Sequence, residues 1–159
     1  MTDIALDPRN PDLIYAATWD RHRTVAAYIG GGPGSGIHRS LDGGETWTKL
    51  SNGLPKSNMG KIGIAVSPIQ PDIIYAAIEL DRRTGGVYKS TDRGITWKKQ
   101  SDAVAGATGP HYYQELYASP HQFDRLYLVD AWMQYSVDGG KTFKRLNRNH
   151  KHGDNHAIA

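Results

Sequence analysis

Ser40-Leu41-Asp42-Gly43-Gly44-Glu45-Thr46-Trp47 returns as Ser90-Thr91-Asp92-Arg93-Gly94-Ile95-Thr96-Trp97 and again as Ser136-Val137-Asp138-Gly139-Gly140-Lys141-Thr142-Phe143. The copies start 50 and 46 residues apart. Self-similarity at such a period marks a repeat architecture, and it has to be read before any local propensity. A second motif keeps step with the first. Asp7-Pro8-Arg9-Asn10-Pro11-Asp12-Leu13-Ile14-Tyr15 is answered by Ser67-Pro68-Ile69-Gln70-Pro71-Asp72-Ile73-Ile74-Tyr75 and by Ser119-Pro120-His121-Gln122-Phe123-Asp124-Arg125-Leu126-Tyr127.

The residue types in the eight-residue segment follow from the needs of a tight hairpin. Gly44, Gly94 and Gly140 permit positive φ. The Asp two residues earlier can accept hydrogen bonds from turn amides, and the Ser before it can do the same more weakly. Trp47, Trp97 and Phe143, each one residue past a Thr, are expected to point inward and pack between neighbouring sheets. Ser40, Asp42, Ser90, Asp92, Ser136 and Asp138 are thereby structural residues.

Each unit reads as four strands, most clearly the second: Ile62 to Val66, Ile73 to Ile78, Gly86 to Ser90 and Thr96 to Gln100, with a polar loop from Glu79 to Gly85. No stretch carries a sustained helical period. The expected fold is all-β: three four-stranded antiparallel sheets, the blades of a β-propeller. Blade 1 covers about 2–51, blade 2 about 60–101 and blade 3 about 112–147, and 152–159 begins the first strand of a further unit.

Composition removes several classes of function. There is no cysteine, which excludes disulfides, thiolate-bound zinc and thiol catalysis. The net charge of +3 is scattered, concentrating only between Lys141 and Lys151, whereas a nucleic-acid footprint needs a denser basic stripe. No apolar run approaches the roughly 20 residues of a membrane-spanning helix. The start, Met1-Thr2-Asp3-Ile4-Ala5-Leu6, lacks the basic and apolar regions of a signal peptide, so a complete chain would stay in the cytoplasm. Gly30 to Gly36 lacks the Gly-Lys-Ser/Thr ending of a phosphate loop and precedes a strand instead of opening a helix, so it reads as a flexible loop. No cofactor is expected.

Strand order decides which loops share a face. In an up-and-down sheet the turns after strands one and three lie at one end, and the loop after strand two and the connection to the next sheet lie at the other. The repeated segments therefore sit opposite Thr18 to Gly36, Glu79 to Gly85, Asp130 to Trp132 and the connections 51–61, 102–112 and 147–156. On that opposite face, Trp19, Arg21, Arg23, Arg82, His111, Trp132, His152 and His156 are candidate ligand-binding residues. Arg21, Arg23, Arg82 and Arg83 can grip a carboxylate or phosphate through paired hydrogen bonds, or form a solvated basic loop.

His150, His152, Asp154 and His156 have metal-ligand identities, and alternation would place 152, 154 and 156 on one side of a strand. A polar connection whose histidines cap backbone groups accounts for the same residues, and no metal is expected. Acid–base hydrolysis of a glycoside needs two carboxylates across a cleft. Glu79, Asp81, Asp130 and Asp154 are the candidates on the appropriate face. Glu115 stands near Tyr112 and Tyr113, but no arginine triad of the sialidase kind accompanies them.

The eight-residue segments resemble the Asp-box, or BNR, repeat of bacterial sialidases, sortilin-type propellers, xyloglucan-cleaving enzymes and a photosystem assembly factor. Trp19-Asp20-Arg21-His22-Arg23, Gly30 to Ile37 and Asp154-Asn155-His156-Ala157 resemble the exported bacterial proteins described as sortilin-like or BNR-repeat glycosyl hydrolases. That resemblance covers essentially the whole chain and implies a propeller. Its members are several times longer, with enough blades to close a ring. Two functions are in keeping with it: a non-catalytic module that binds a glycan or protein on the face opposite the boxes, or a part of a propeller glycoside hydrolase. Ile158-Ala159 stands in the phase of Ile4-Ala5, three repeats of about 51 residues on, so copies can follow one another without breaking the pattern. The expected partner is a second copy that closes a ring, or further blades of a longer chain.

Overall fold

The computed structural model describes residues 1–80, 84–105, 114–129 and 132–146. Its first unit holds β1 (Asp3–Asp7), β2 (Asn10–Thr18), a short hairpin of β3 (His22–Arg23) and β4 (Tyr28–Ile29), then β5 (Gly36–Ser40) and β6 (Thr48–Leu50). The second holds β7 (Ile62–Val66), β8 (Ile74–Glu79), β9 (Gly85–Ser90) and β10 (Lys98–Ser101). The third holds β11 (Leu116–Ala118), β12 (Leu126–Leu128), β13 (Gln134–Ser136) and β14 (Lys144–Arg145). The pairing orders are β1-β2-β5-β6, β7-β8-β9-β10 and β11-β12-β13-β14, antiparallel throughout. No helix occurs among the described residues.

The first strands of the three sheets are neighbours, so β1, β7 and β11 share one inner wall. Asp3 crosses from the first sheet to the second, its Oδ2 accepting the Ile64 amide at 2.7 Å. Lys61 crosses from the second to the third, its Nζ donating to Glu115 Oε1 at 2.7 Å. Between the sheets lie two apolar layers. Leu13, Tyr15, Ala17 and Ile37 meet Ile62, Ile64, Ile74 and Trp97 in the first. Ala65, Tyr75, Ala77 and Val87 meet Leu116, Leu126, Leu128 and Phe143 in the second. The alternation of each strand thus serves two interfaces at once, as a layered all-β fold requires.

The repeated hairpins are built alike. Asp92 Oδ1 accepts the Ser90 hydroxyl at 2.7 Å and the Thr96 amide at 2.8 Å, and Oδ2 accepts the Thr96 hydroxyl at 2.5 Å. Asp42 and Asp138 repeat the pattern. The serine is no weaker a partner than the aspartate. Buried Ser40, Ser90 and Ser136 each accept the amide of the box glycine, Gly44, Gly94 or Gly140, at 2.8–2.9 Å. Arg93, where the other two copies carry glycine, holds φ at 58°. Its carbonyl accepts the Tyr15 hydroxyl at 3.2 Å and Arg39 Nη1 at 2.9 Å, contacts that keep a side-chain-bearing residue in this left-handed conformation.

Three expectations need correction. Strand β10 starts at Lys98, not Thr96, because the Thr96 amide and hydroxyl are spent on Asp92. The stretch from Thr18 to Gly36 is not merely a loop: β3 and β4 pair His22 with Ile29 and Arg23 with Tyr28. Trp47 does not pack inward as Trp97 does, being 41% exposed where Trp97 is 6%. Each box ring turns toward the sheet that precedes its own, and no described sheet precedes the first.

The boxes have a consequence in acid. Hydrogen bonds from the Thr46 hydroxyl and amide hold the Asp42 carboxyl at about 2. At Asp138 burial alone would raise the carboxyl, but the bonds from Thr142, Ser136 and Lys141 outweigh it and leave it at about 2 as well. A carboxylate held below its unfolded value of 3.8 contributes stability above that value and loses it as pH falls toward the folded one. The melting temperature is therefore expected to drop between about pH 4 and about pH 2. Burial raises Asp3 and Glu79, which work in the opposite sense and soften the drop. Thermal denaturation across this range checks the sign. A triple Asp42→Asn, Asp92→Asn, Asp138→Asn variant that kept the full acid sensitivity would locate it elsewhere.

Candidate functional site

The turns after the first and third strands of each sheet are tied to one another at one end. The Gly43, Arg93 and Gly139 amides donate to the carbonyls of Asp12, Asp72 and Asp124 at 3.0, 3.0 and 2.9 Å. The carboxylates of the boxes are committed there. The opposite end carries the loop from Trp19 to Ser35, the segment around Leu80 and Thr84, Trp132, and the connections between sheets.

Much of this end is held in place by the chain itself. The Trp19 indole N–H donates to the Gly30 carbonyl at 2.9 Å, which fixes the ring between the two ends of its own loop. The Arg21 guanidinium lies 5.3 Å from the centre of that ring, a cation–π distance. The Thr24 hydroxyl accepts the Ala26 and Ala27 amides at 3.3 and 3.0 Å and closes the turn between β3 and β4. Asp20 fastens the returning arm: its amide donates to Ser35 Oγ at 2.9 Å, and its Oδ2 accepts the Gly34 amide at 3.3 Å. A backbone bridge between Gly32 and Met59 then joins this loop to the connection leading into the second sheet.

That bridge brings Glu79 into the same neighbourhood. Glu79 Oε2 accepts the Lys61 amide at 3.0 Å, and the Gly60 amide donates to the Glu79 carbonyl at 2.9 Å. Burial pushes the Glu79 carboxyl up, against the amide bond and the Lys61 charge. The Tyr28 hydroxyl is pushed up by burial and by the Glu79 charge, while Arg21 acts on it in the opposite direction. Trp19, Arg21 and Tyr28 thus form one chain of interacting groups, and the Glu79 charge is felt at its Tyr28 end. In the third sheet Trp132, 39% exposed, lies beneath the Arg145 guanidinium, 5.3 Å from its ring centre.

Of the residues singled out in the sequence, Trp19 and Arg21 come together as a pair, and Glu79 is held against the connection at Gly60 and Lys61, its charge acting on Tyr28. Arg23 sits exposed on β3, and Trp132 is at the same end on another sheet. Asp81, Arg82, Arg83, His111, Asp130, His150, His152, Asp154 and His156 lie outside the described residues. Glu115 is paired with Lys61, while Tyr112 and Tyr113 are also outside the described residues. Among the described residues no group of three or more His, Asp and Glu side chains could hold a metal ion. Tyr28 was missed in the sequence because nothing local marks it. Only the β3–β4 pairing, set by a Thr24 turn without the usual glycine signal, places it.

A BNR/Asp-box repeat model matches residues 38–49 and 88–99. The xyloglucanase of Hypocrea jecorina is 33% identical over 118 residues, 66% of this chain and 12% of that protein. A Paenibacillus xyloglucanase is 27% identical over 150 residues, 87% of this chain and 13% of that protein. The chain spans roughly an eighth of the length of these relatives. Among solved structures, the GH74 xyloglucanase of Xanthomonas campestris superimposes with a TM-score of 0.64 at 24% identity, over 90% of this chain and 20% of that one. YCF48 bound to a D1 peptide gives a TM-score of 0.60 at 14% identity, over 90% of this chain and 39% of that one. Both likenesses concern the fold. The chain carries Asp-box repeats, and its sheets are blades of the β-propeller type.

Proposed function

We propose, from the premise that this chain is an arc of an Asp-box propeller, that its loop end is a glycan-binding face for β-linked glucan chains of the xyloglucan kind. The observation that carries the reading is the Trp19 platform: a ring pinned by its own indole N–H and covered by Arg21, which in turn interacts with the Tyr28 hydroxyl. A sugar ring presents an apolar face of axial C–H groups and a rim of hydroxyls. An aromatic ring stacked with a guanidinium and accompanied by a phenol supplies both an apolar surface and hydrogen-bonding groups. Because the ring is already fixed, little ordering is needed on binding. The xyloglucanase relatives support the substrate class.

A second reading, part of a propeller glycoside hydrolase, is favoured by Glu79. A half-buried carboxyl held above its ordinary value is what a general acid requires. Hydrolysis would need a second carboxylate roughly 5–9.5 Å away across the bound sugar. In the first reading Glu79 orients the face, since its Oε2 already accepts the Lys61 amide.

Calorimetric titration with xyloglucan oligosaccharides, alongside a reducing-end assay, separates the two. Binding without turnover is expected, with Trp19→Ala weakening it about tenfold, or about 1.4 kcal/mol. No binding by the wild type, or equal binding by the variant, removes the proposed site. Turnover abolished by Glu79→Gln establishes the second reading.

A further inference from the structure

Where β6 gives way to the connection leading into the second sheet, the chain builds a second recess. Strand β6 ends at Leu50, and a turn follows in which the Leu54 amide donates to the Ser51 carbonyl at 3.1 Å, with Gly53 at φ 82°. Leu54 and Met59 are each 6% exposed and belong to the first apolar layer, so this connection is anchored in the core at two points. Residues 55–58 arch between the anchors, and Lys56, Ser57 and Asn58 stand exposed on the arch. The facing wall is the turn from Gly32 to Ser35. The Ser35 amide closes it on the Gly32 carbonyl at 3.1 Å, and the Gly32 amide ties it to the Met59 carbonyl at 3.2 Å. Between the end of β6, the arch and this turn lies a cavity of about 420 Å³. That volume falls within the roughly 300–1,000 Å³ of small-ligand sites.

The chemistry of the walls is one-sided. The charged residues that line the cavity are Lys49 and Lys56, and no carboxylate is among its walls. The Asp20 carboxylate, behind the facing turn, is committed to the Gly34 amide. Lys49 spends one of its ammonium protons on the Pro33 carbonyl at 2.9 Å and keeps the others. Ser51, Ser57 and Asn58 add hydroxyl and amide groups. Among the described residues, these three side chains and the Lys56 ammonium have no partner within the chain. No aromatic ring lines the cavity, so the stacking on which the Trp19 face relies is absent from its walls. Recognition here has to come from charge and hydrogen bonds.

We propose that this cavity binds a uronic acid, a sugar whose exocyclic alcohol is oxidised to a carboxylate. The carboxylate accepts charge-assisted hydrogen bonds from Lys49 and Lys56. The ring hydroxyls both donate and accept, and so do the serine hydroxyls and the Asn58 amide that meet them. A neutral glucan unit leaves both ammonium groups unmatched, and a bare carboxylate leaves the hydroxyl and amide groups unmatched. The site is independent of the proposed glucan face, since Trp19, Arg21 and Tyr28 are not among its walls.

Titration of the chain with sodium glucuronate, followed by NMR, is expected to saturate with a Kd of about 1 mM. Acetate is expected to bind about tenfold more weakly and glucose not at all. Lys56→Ala, whose side chain holds nothing else in the fold, is expected to weaken glucuronate about tenfold with the melting temperature unchanged. Asn58→Ala is expected to weaken glucuronate about threefold and to leave acetate as it was. Trp19→Ala is expected to leave glucuronate binding intact, so failure of this site and failure of the glucan face are separate results. Glucuronate that does not saturate, acetate that binds as tightly, or an unchanged affinity in Lys56→Ala overturns the assignment. Tighter binding of an aspartate-rich peptide than of glucuronate overturns it in favour of an acidic protein.

Discussion

Trp97→Ala is expected to cost about 3–5 kcal/mol, the range for removing a buried Trp or Phe side chain, and to lower the melting temperature by about 10 °C. The ring lies in the layer between the first two sheets with Leu13, Tyr15, Ile37, Leu50 and Ile64. It is also part of the hairpin: its indole N–H donates to the Gly94 carbonyl at 3.0 Å, and its amide to the Asn52 carbonyl at 3.0 Å. Truncation leaves a cavity, because close-packed sheets tied by Asp3 to Ile64 and by Arg9 to Asp72 relax only partly. Trp47 provides the control. It makes the same hairpin bond, to Gly44 at 2.9 Å, without the burial. Trp47→Ala is expected to cost about 1 kcal/mol, the worth of an exposed hydrogen bond and partial burial. Chemical denaturation of both variants checks the difference. Equal losses at the two sites would place the ring's value in the hairpin and not in the layer between sheets.

The same pair shows how far the sequence could be read. The Asp-boxes were legible because their hydrogen bonds are local: Ser, Asp, Gly and Thr must stand at fixed offsets for one carboxylate to take up the turn. Strand order then followed, and with it the end of the sheets that the boxes occupy. What a ring packs against is not local. Trp47 and Trp97 hold the same position in the repeat and have different neighbours in space. At the loop end, Trp19 and Arg21 were legible as residue types. Their junction with Tyr28 and Glu79 was not, since it depends on a two-residue hairpin and on the Gly32–Met59 bridge. Arg93 is a further case. A turn position that holds glycine in the other two boxes tolerates arginine because Tyr15 and Arg39, from the preceding blade, hold its carbonyl.

Gly63→Ala separates local from tertiary reasoning by the sign of its effect. Gly63 sits in the interior of β7 with no left-handed backbone demand, and a strand glycine costs roughly 0.5–1 kcal/mol relative to alanine. Local reasoning therefore expects the substitution to stabilise. In the fold, a Cβ at this position would lie 1.9 Å from the Gln114 carbonyl oxygen and 3.0 Å from the Leu116 amide nitrogen. These are backbone atoms at the entry to β11, and no rotamer change can move them aside. Either β7 or the Gln114 segment must shift, and the shift disturbs the Lys61–Glu115 pair and the layer formed by Ala65, Leu116 and Leu126. Overpacking of this kind costs about 3 kcal/mol, which outweighs the local gain and leaves a net loss of about 2 kcal/mol. Gly36→Ala is the matched comparison. There the new methyl would meet the Lys49 Cε at 2.6 Å, the far end of a flexible side chain that can swing away, so a change within about 0.5 kcal/mol is expected. Urea denaturation of the two variants, with m-values compared to confirm the two-state form, gives both signs. A Gly63→Ala protein as stable as the wild type would mean that the second and third sheets do not approach one another this closely.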